Sequence, residues 1–110
     1  METKDIPTAG PSDWQPITNK HALAVLGKLG EEVNELGAAI FRCIIQGIDE
    51  TEPTTGKVNR VWLEQELADV MAMTTITMRR FSLDTRAIMD RRDRKIAYKE
   101  PWFDALDAQP

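Results

Sequence analysis

Two short acidic runs carry the residues in this chain best suited to chemistry: Glu31-Glu32-Val33-Asn34-Glu35 and Glu66-Leu67-Ala68-Asp69. In each, a pair of carboxylates recurs at i, i+3: Glu32 with Glu35, and Glu66 with Asp69. On a helix that spacing makes the two side chains neighbours with Cβ atoms about 5–6 Å apart, close enough to share a cation. Two such helices side by side would gather four oxygen donors, a set suited to Mg²⁺, with Mn²⁺ as a substitute. No softer ligand set competes. The chain has one cysteine, Cys43, and one histidine, His21, which excludes both an intrachain disulfide and a Cys/His zinc cluster.

Glutamates on helices are usually solvated, so spacing alone is weak. Glu66 is different because of its neighbours. On a wheel of 100° per residue it falls between Leu63, Val70 and Met73, inside an apolar stripe, with no Lys or Arg within one turn. A buried carboxylate must be protonated, paired or bound to metal, because leaving it charged and alone costs several kcal/mol. Glu32 lies at the edge of the stripe on its own segment, and Glu35 lies further round.

The elements that must position these acids follow from periodicity. Ala22, Leu26, Leu29, Val33, Leu36, Ile40 and Ile44 step by three or four, which predicts a helix over residues 17–46, capped by Thr18 or Asn19 and ended by Gly47. So long a helix would measure about 45 Å, so it either breaks at Gly27, Gly30 or Gly37 or extends along another subunit. Residues 49–57, with Pro53 and Gly56, read as a loop. A second helix is predicted over residues 58–80. A third, capped by Ser82, is predicted over residues 83–99 and stopped by Pro101. Residues 1–16, with Pro7, Gly10, Pro11 and Pro16, read as an extended arm, residues 17–100 as the helical domain, and residues 101–110 as a tail anchored by Trp102 and Phe103. The expected fold is therefore all-α: a bundle of three main helices per chain, completed by a partner subunit.

Composition bounds the function. With 29% charged and 42% hydrophobic residues the chain has a globular profile, and no apolar run approaches the ~20 residues of a membrane span. The Met-Glu-Thr-Lys-Asp start lacks the apolar stretch of a signal peptide, so a cytoplasmic protein without membrane contact is expected. A net charge of −4 argues against nucleic acid as a partner. It does not argue against a polyphosphate held through divalent cations.

The run Gly30-Glu31-Glu32-Val33-Asn34-Glu35-Leu36, followed by Glu66-Leu67-Ala68-Asp69-Val70, resembles the Glu-Glu-x-x-Glu … Glu-x-x-Asp signature of the MazG-like all-α nucleoside triphosphate pyrophosphohydrolases, relatives of the dimeric dUTPases and phosphoribosyl-ATP pyrophosphohydrolases. The likeness spans roughly residues 20–100. It departs from the family pattern in the 30 residues that separate Glu35 from Glu66, a longer gap than usual, with the excess in the 49–57 loop. The resemblance implies that Glu32, Glu35, Glu66 and Asp69 bind magnesium. It also implies that a nucleoside triphosphate is cut between its α and β phosphates to the monophosphate and pyrophosphate, as in nucleotide-pool housecleaning, by a homodimer or homotetramer. Glu31, about 100° round the helix from Glu32, either orients a ligand or a catalytic water or faces solvent.

Phosphates need cations. The third helix offers Arg91, Arg92, Arg94, Lys95 and Lys99, which the helix dipole alone would also favour there. The resemblance singles out Arg94 and Lys95 as phosphate contacts. Trp14, Trp62 and His21 are the candidates for a base pocket, with Trp14 favoured because an extended arm has little structural need of tryptophan. Phosphoribosyl-ATP as substrate, and a non-catalytic helical oligomerisation or adaptor protein, are the competing expectations.

Overall fold

The structure is a computed structural model and describes residues 13–110. It is all-helical, with α1 (Lys20–Gln46), α2 (Asn59–Arg80) and α3 (Thr85–Asp107). The greater part of the expected N-terminal arm, residues 1–12, lies outside the described residues; residues 13–19 are non-helical. No described helix is long and apolar enough to cross a membrane.

Asn19 starts α1 by accepting hydrogen bonds from the backbone N–H groups of His21 and Ala22 at 2.9 and 3.0 Å, which satisfies two of the four N–H groups a helix start leaves without partners. Ile17 and Thr18 are non-helical, so the helix opens later than the apolar spacing predicts. It then runs unbroken past Gly27, Gly30 and Gly37 for 27 residues, about 40 Å. Gly47 ends it at φ 106°, where its N–H still reaches the Cys43 carbonyl at 3.0 Å. An added Cβ at Gly47 would stand 3.0 Å from the Glu50 Cγ, so both backbone and space call for glycine.

Residues 47–58 return the chain and α2 packs antiparallel on α1. Near the turn Asn59 meets Gln46, while at the far end Ile76, Arg80 and Phe81 face His21, Ala22 and Val25. Asn59 pins the near end. It is fully buried, donates from Nδ2 to Gln46 Oε1 at 3.0 Å and to the Gly47 carbonyl at 3.1 Å, and its carbonyl accepts from the Cys43 thiol at 3.8 Å.

Two boundaries differ from expectation. Ser82 does not cap α3. It takes the left-handed conformation (φ 49°) in the turn where the Leu83 N–H bonds back to the Met78 carbonyl, and Asp84 caps instead by accepting from the Ala87 N–H at 2.9 Å. Nor does Pro101 stop α3, so residues 101–107 are helix rather than tail. Proline deletes one hydrogen bond and crowds the preceding turn. The following turn nevertheless closes on its own bonds, with the Ala108 N–H reaching the Asp104 carbonyl at 3.2 Å, and the Trp102 and Phe103 rings meet edge to face at 4.6 Å.

The chain's own core is small. Ala39 and Met78 are the buried apolar residues among those described, while Phe41, Ile44, Ile45 and Met71 are 62%, 71%, 80% and 69% exposed. All of α3 except Met89 is exposed, and the radius of gyration is 19.8 Å, against about 13 Å for a compact 100-residue domain.

Asn59→Ala removes the hydrogen bonds to Gln46 Oε1 and to the Gly47 carbonyl, which keeps only the longer one from the Glu50 N–H at 3.3 Å. We expect it to lower stability by about 2 kcal/mol, seen as a reduced urea midpoint with an unchanged m-value; an unchanged midpoint would deny Asn59 its role at the turn.

Candidate functional site

The antiparallel pairing of α1 and α2 brings Glu66 opposite the Glu32–Glu35 pair. One carboxylate oxygen from each of Glu32, Glu35 and Glu66 lies within 4.8 Å of the others. Glu32 is buried (7% exposed), Glu66 half-buried and Glu35 exposed as a residue. Glu32 and Glu66 at that separation repel by about 3 kcal/mol at an effective dielectric constant near 20.

Each of these two acids has one oxygen tied and one bare. Glu32 Oε1 is 3.3 Å from Lys28 Nζ, and Glu66 Oε1 accepts from the Trp62 indole N–H at 3.1 Å. The Oε2 atoms of both are buried without a hydrogen-bond partner. Partial desolvation of its carboxyl, then the charges of Glu32 and Glu66, raise the pKa of Glu35 above the usual glutamate value. Among the described residues, Lys28 is the one cation in an ion pair with these three acids, through Glu32.

Asp69, the fourth acid of the paired motif, is exposed and does not come within 4.8 Å of all three others. Glu31 is exposed and accepts from Lys28 Nζ at 3.2 Å, so Lys28 bridges the first two acids of the run. His21 lines a cavity of about 520 Å³ at the other end of the hairpin with Asn19, Val25, Ile76 and Phe81. Eleven residues of helix separate it from Glu32, about 16 Å along the axis. Arg94 and Lys95 sit with Arg91 and Tyr98 around a hollow formed by α3 alone. Trp14 precedes α1 and is 83% exposed.

The cations beside the acids come from elsewhere. A cavity of about 390 Å³ next to the cluster is lined by Glu35, Ala38, Arg42, Lys57, Trp62 and Glu66. The Arg42 guanidinium lies 4.0 Å from the Trp62 ring centroid and Lys57 Nζ 5.2 Å from it. Sequence reasoning singles out neither cation. The signal was present: Arg42 follows Glu35 by two helical turns on the same face, and Trp62 precedes Glu66 by one.

Lys57 is held by a built turn. Glu52 is buried, and its carboxylate accepts from the Thr55 hydroxyl at 2.7 Å and from the Thr54 and Thr55 N–H groups at 3.0 and 2.7 Å. Its own N–H donates to the Lys57 carbonyl at 2.7 Å, and Gly56, at φ 75°, closes the turn. Asp49 and Arg60 clasp the loop's two ends at 2.6 and 3.0 Å.

The Thr55 hydroxyl and then the Thr54 and Thr55 amides lower the Glu52 pKa from 4.5 to about 2. The folded loop therefore favours the ionised form, and its stabilisation is complete above about pH 4.5 and fades as the pH falls towards 2. Hydrogen-exchange protection at Thr54 and Thr55 should follow that course. Glu52→Gln should give lower protection that does not vary over the same range; matching profiles would assign the pH response to another group.

Comparison with protein-family models, with curated proteins and with solved structures finds no match.

Proposed function

We propose that the chain is a divalent-metal-dependent hydrolase of nucleoside triphosphates, releasing a nucleoside monophosphate and pyrophosphate. The observation that carries the reading is the pair of partnerless buried oxygens, Glu32 Oε2 and Glu66 Oε2, in a cluster with Glu35. Burying bare carboxylate oxygens is costly unless something positive meets them. The donor set is all oxygen, which fits Mg²⁺ or Mn²⁺. When bound, such an ion supplies charge neutralisation for phosphate oxygens and acidifies water.

The remaining work belongs to the chain. Lys28 and the Trp62 indole each hold one oxygen of Glu32 and Glu66, leaving the other buried and without a hydrogen-bond partner. Glu35 closes the cluster from the solvent side, where a phosphate chain would enter. Asp69, one turn beyond Glu66, is its neighbour on the α2 surface. The likeness of the two acidic motifs to the MazG-like pattern supports cleavage between the α and β phosphates. Glu31, held by Lys28, receives no step.

The exposed apolar residues of α1, α2 and α3 support a partner-completed bundle. Phe41, Ile44, Ile45 and Met71 on the hairpin, and Ile96, Trp102 and Phe103 on α3, leave far more apolar surface in water than the two buried apolar residues among those described can offset. A second copy laid against these faces would supply the missing core. It would also offer α3, with Arg94 and Lys95, a place to pack.

Three measurements bear on this reading. Mg²⁺ or Mn²⁺ should raise the melting temperature of the wild type but not of Glu66→Gln; equal shifts would remove the metal from the site. Pyrophosphate should be released from at least one member of a panel of canonical and modified NTPs and dNTPs, with phosphoribosyl-ATP alongside, in Mg²⁺ and not in chelator. Metal-independence, or silence across the panel, would favour a non-catalytic helical assembly. Light scattering should give a dimer or tetramer, and a monodisperse monomer would contradict the partner-completed bundle.

A further inference from the structure

Arg42 is an unusual arginine. It is half-buried on the face of α1 that carries Glu35, yet among the described residues no carboxylate forms an ion pair with it, although Glu35 and Glu66 line the same cavity. Its guanidinium is instead spread over the Trp62 ring at 4.0 Å. A cation held over a ring by its face keeps the N–H donors at its edge available for an anion. Lys57, held to the same ring at 5.2 Å, has a neutral partner, Gln65 Oε1 at 2.8 Å. Two cations thus stand in one cavity with Glu35 and Glu66 without forming an ion pair with either.

We propose that Arg42 and Lys57 form an anion-binding arm of the site, taking the phosphate groups that extend past the carboxylate cluster. The inference rests on the proposed function, since it assigns a ligand to the other half of the same cavity. A ligand that satisfies both halves must present a cation to Glu32, Glu35 and Glu66 and at least one further anionic group to Arg42 and Lys57. A metal-chelated diphosphate or triphosphate has that chemistry, and a monophosphate is short of it.

Trp62 joins the halves. Its N–H holds Glu66 and its ring carries the cations, so the ring face under Arg42 is a platform for guanidinium and not for a nucleobase. Trp62 is thereby removed from the base pocket proposed for it on residue type. The Glu52 turn fixes the backbone of Lys57, so this cation is placed by the loop rather than by the helices.

The test is titration calorimetry of the full chain with inorganic pyrophosphate, in Mn²⁺ and separately in chelator, beside titration with Mn²⁺ alone. Arg42→Ala and Lys57→Ala should each weaken pyrophosphate binding by roughly ten- to a hundredfold, with Arg42→Lys falling between. All three should bind Mn²⁺ as the wild type does, which also certifies that the carboxylate cluster is folded. Glu66→Gln should lose Mn²⁺ binding. Wild-type affinity for pyrophosphate in both alanine variants, or no pyrophosphate binding by a wild type that holds Mn²⁺, would overturn the anion arm. A wild type that fails to bind Mn²⁺ would overturn the proposed function instead. The chelator titration then decides the arm by itself: weaker binding in both variants sustains it, and equal or absent binding removes it.

Discussion

Everything in the hairpin is arranged around a carboxylate where a core residue should be. Glu32 sits in the middle of the α1 face that meets α2, with Ala39, Leu36 and Leu29 on the same side, and is 7% exposed. A leucine there would close an ordinary seam. A glutamate there has one oxygen met by Lys28 and the other buried without a partner, and its carboxyl group lies close to those of Glu66 and Glu35. The seam is therefore polar at its centre and is joined at its ends, by Asn59 near the turn and by Val25, Ile76 and Phe81 at the far end. A layout that gives up the middle of a two-helix core is destabilising in itself, which sets it apart from solvated acids on a helix surface.

The polar centre has a second consequence. Because α1 spends its α2-facing side on Glu32, much of its apolar surface lies on the other side, where Val33, Ile40, Phe41 and Ile44 are all at least 40% exposed. Gly30 and Gly37 fall on that outward side too, and a Cβ added to either would meet nothing within 4 Å. Glycines in mid-helix cost about 1 kcal/mol each relative to alanine, and here no intrachain contact accounts for them. The same holds for α3, whose apolar residues touch little of the hairpin. Within the chain, the hairpin's outer face and α3 are left largely uncovered among the described residues.

How much of this could be read from residue order follows from what each signal measures. Apolar spacing reports that a segment is helical and amphipathic, so three helices, the absence of strands and the end of α1 at Gly47 were readable. It does not report which part of a broad apolar face meets which neighbour. The stripe drawn through Leu26, Val33, Ile40 and Ile44 put Glu32 at its edge, whereas the face that meets α2 is centred on Glu32 and Ala39. Glu66 could be placed within its stripe because Leu63, Val70 and Met73, the residues that flank it on the wheel, are themselves partly covered. Asp84, two residues after the expected cap at Ser82, won because Ser82 is used in the left-handed turn that ends α2. Pro101 misled because propensity describes an isolated helix, and one lost hydrogen bond does not prevent a helix from resuming. Arg42 and Lys57 stand out less, because each is a single cation and neither belongs to a basic cluster in sequence. The fold instead brings single cations from two separate segments onto one tryptophan.

The loop between α1 and α2 explains how a long connection can serve a site that needs precision. Twelve residues without order would cost closure entropy and leave Lys57 undirected. Here the backbone is tied at Thr51 and Val58, the Glu52 carboxylate collects three donors from Thr54 and Thr55, and the Asp49–Arg60 clasp joins the segment to α2. Glu52 uses its charge inside the loop and has none left over for a metal, unlike Glu32 and Glu66, whose second oxygens are bare. The same residue type thus plays two opposite parts a few residues apart in space. What separates them is whether backbone N–H groups were supplied: the turn supplies them, and the helix faces, with every N–H already bonded along the axis, cannot.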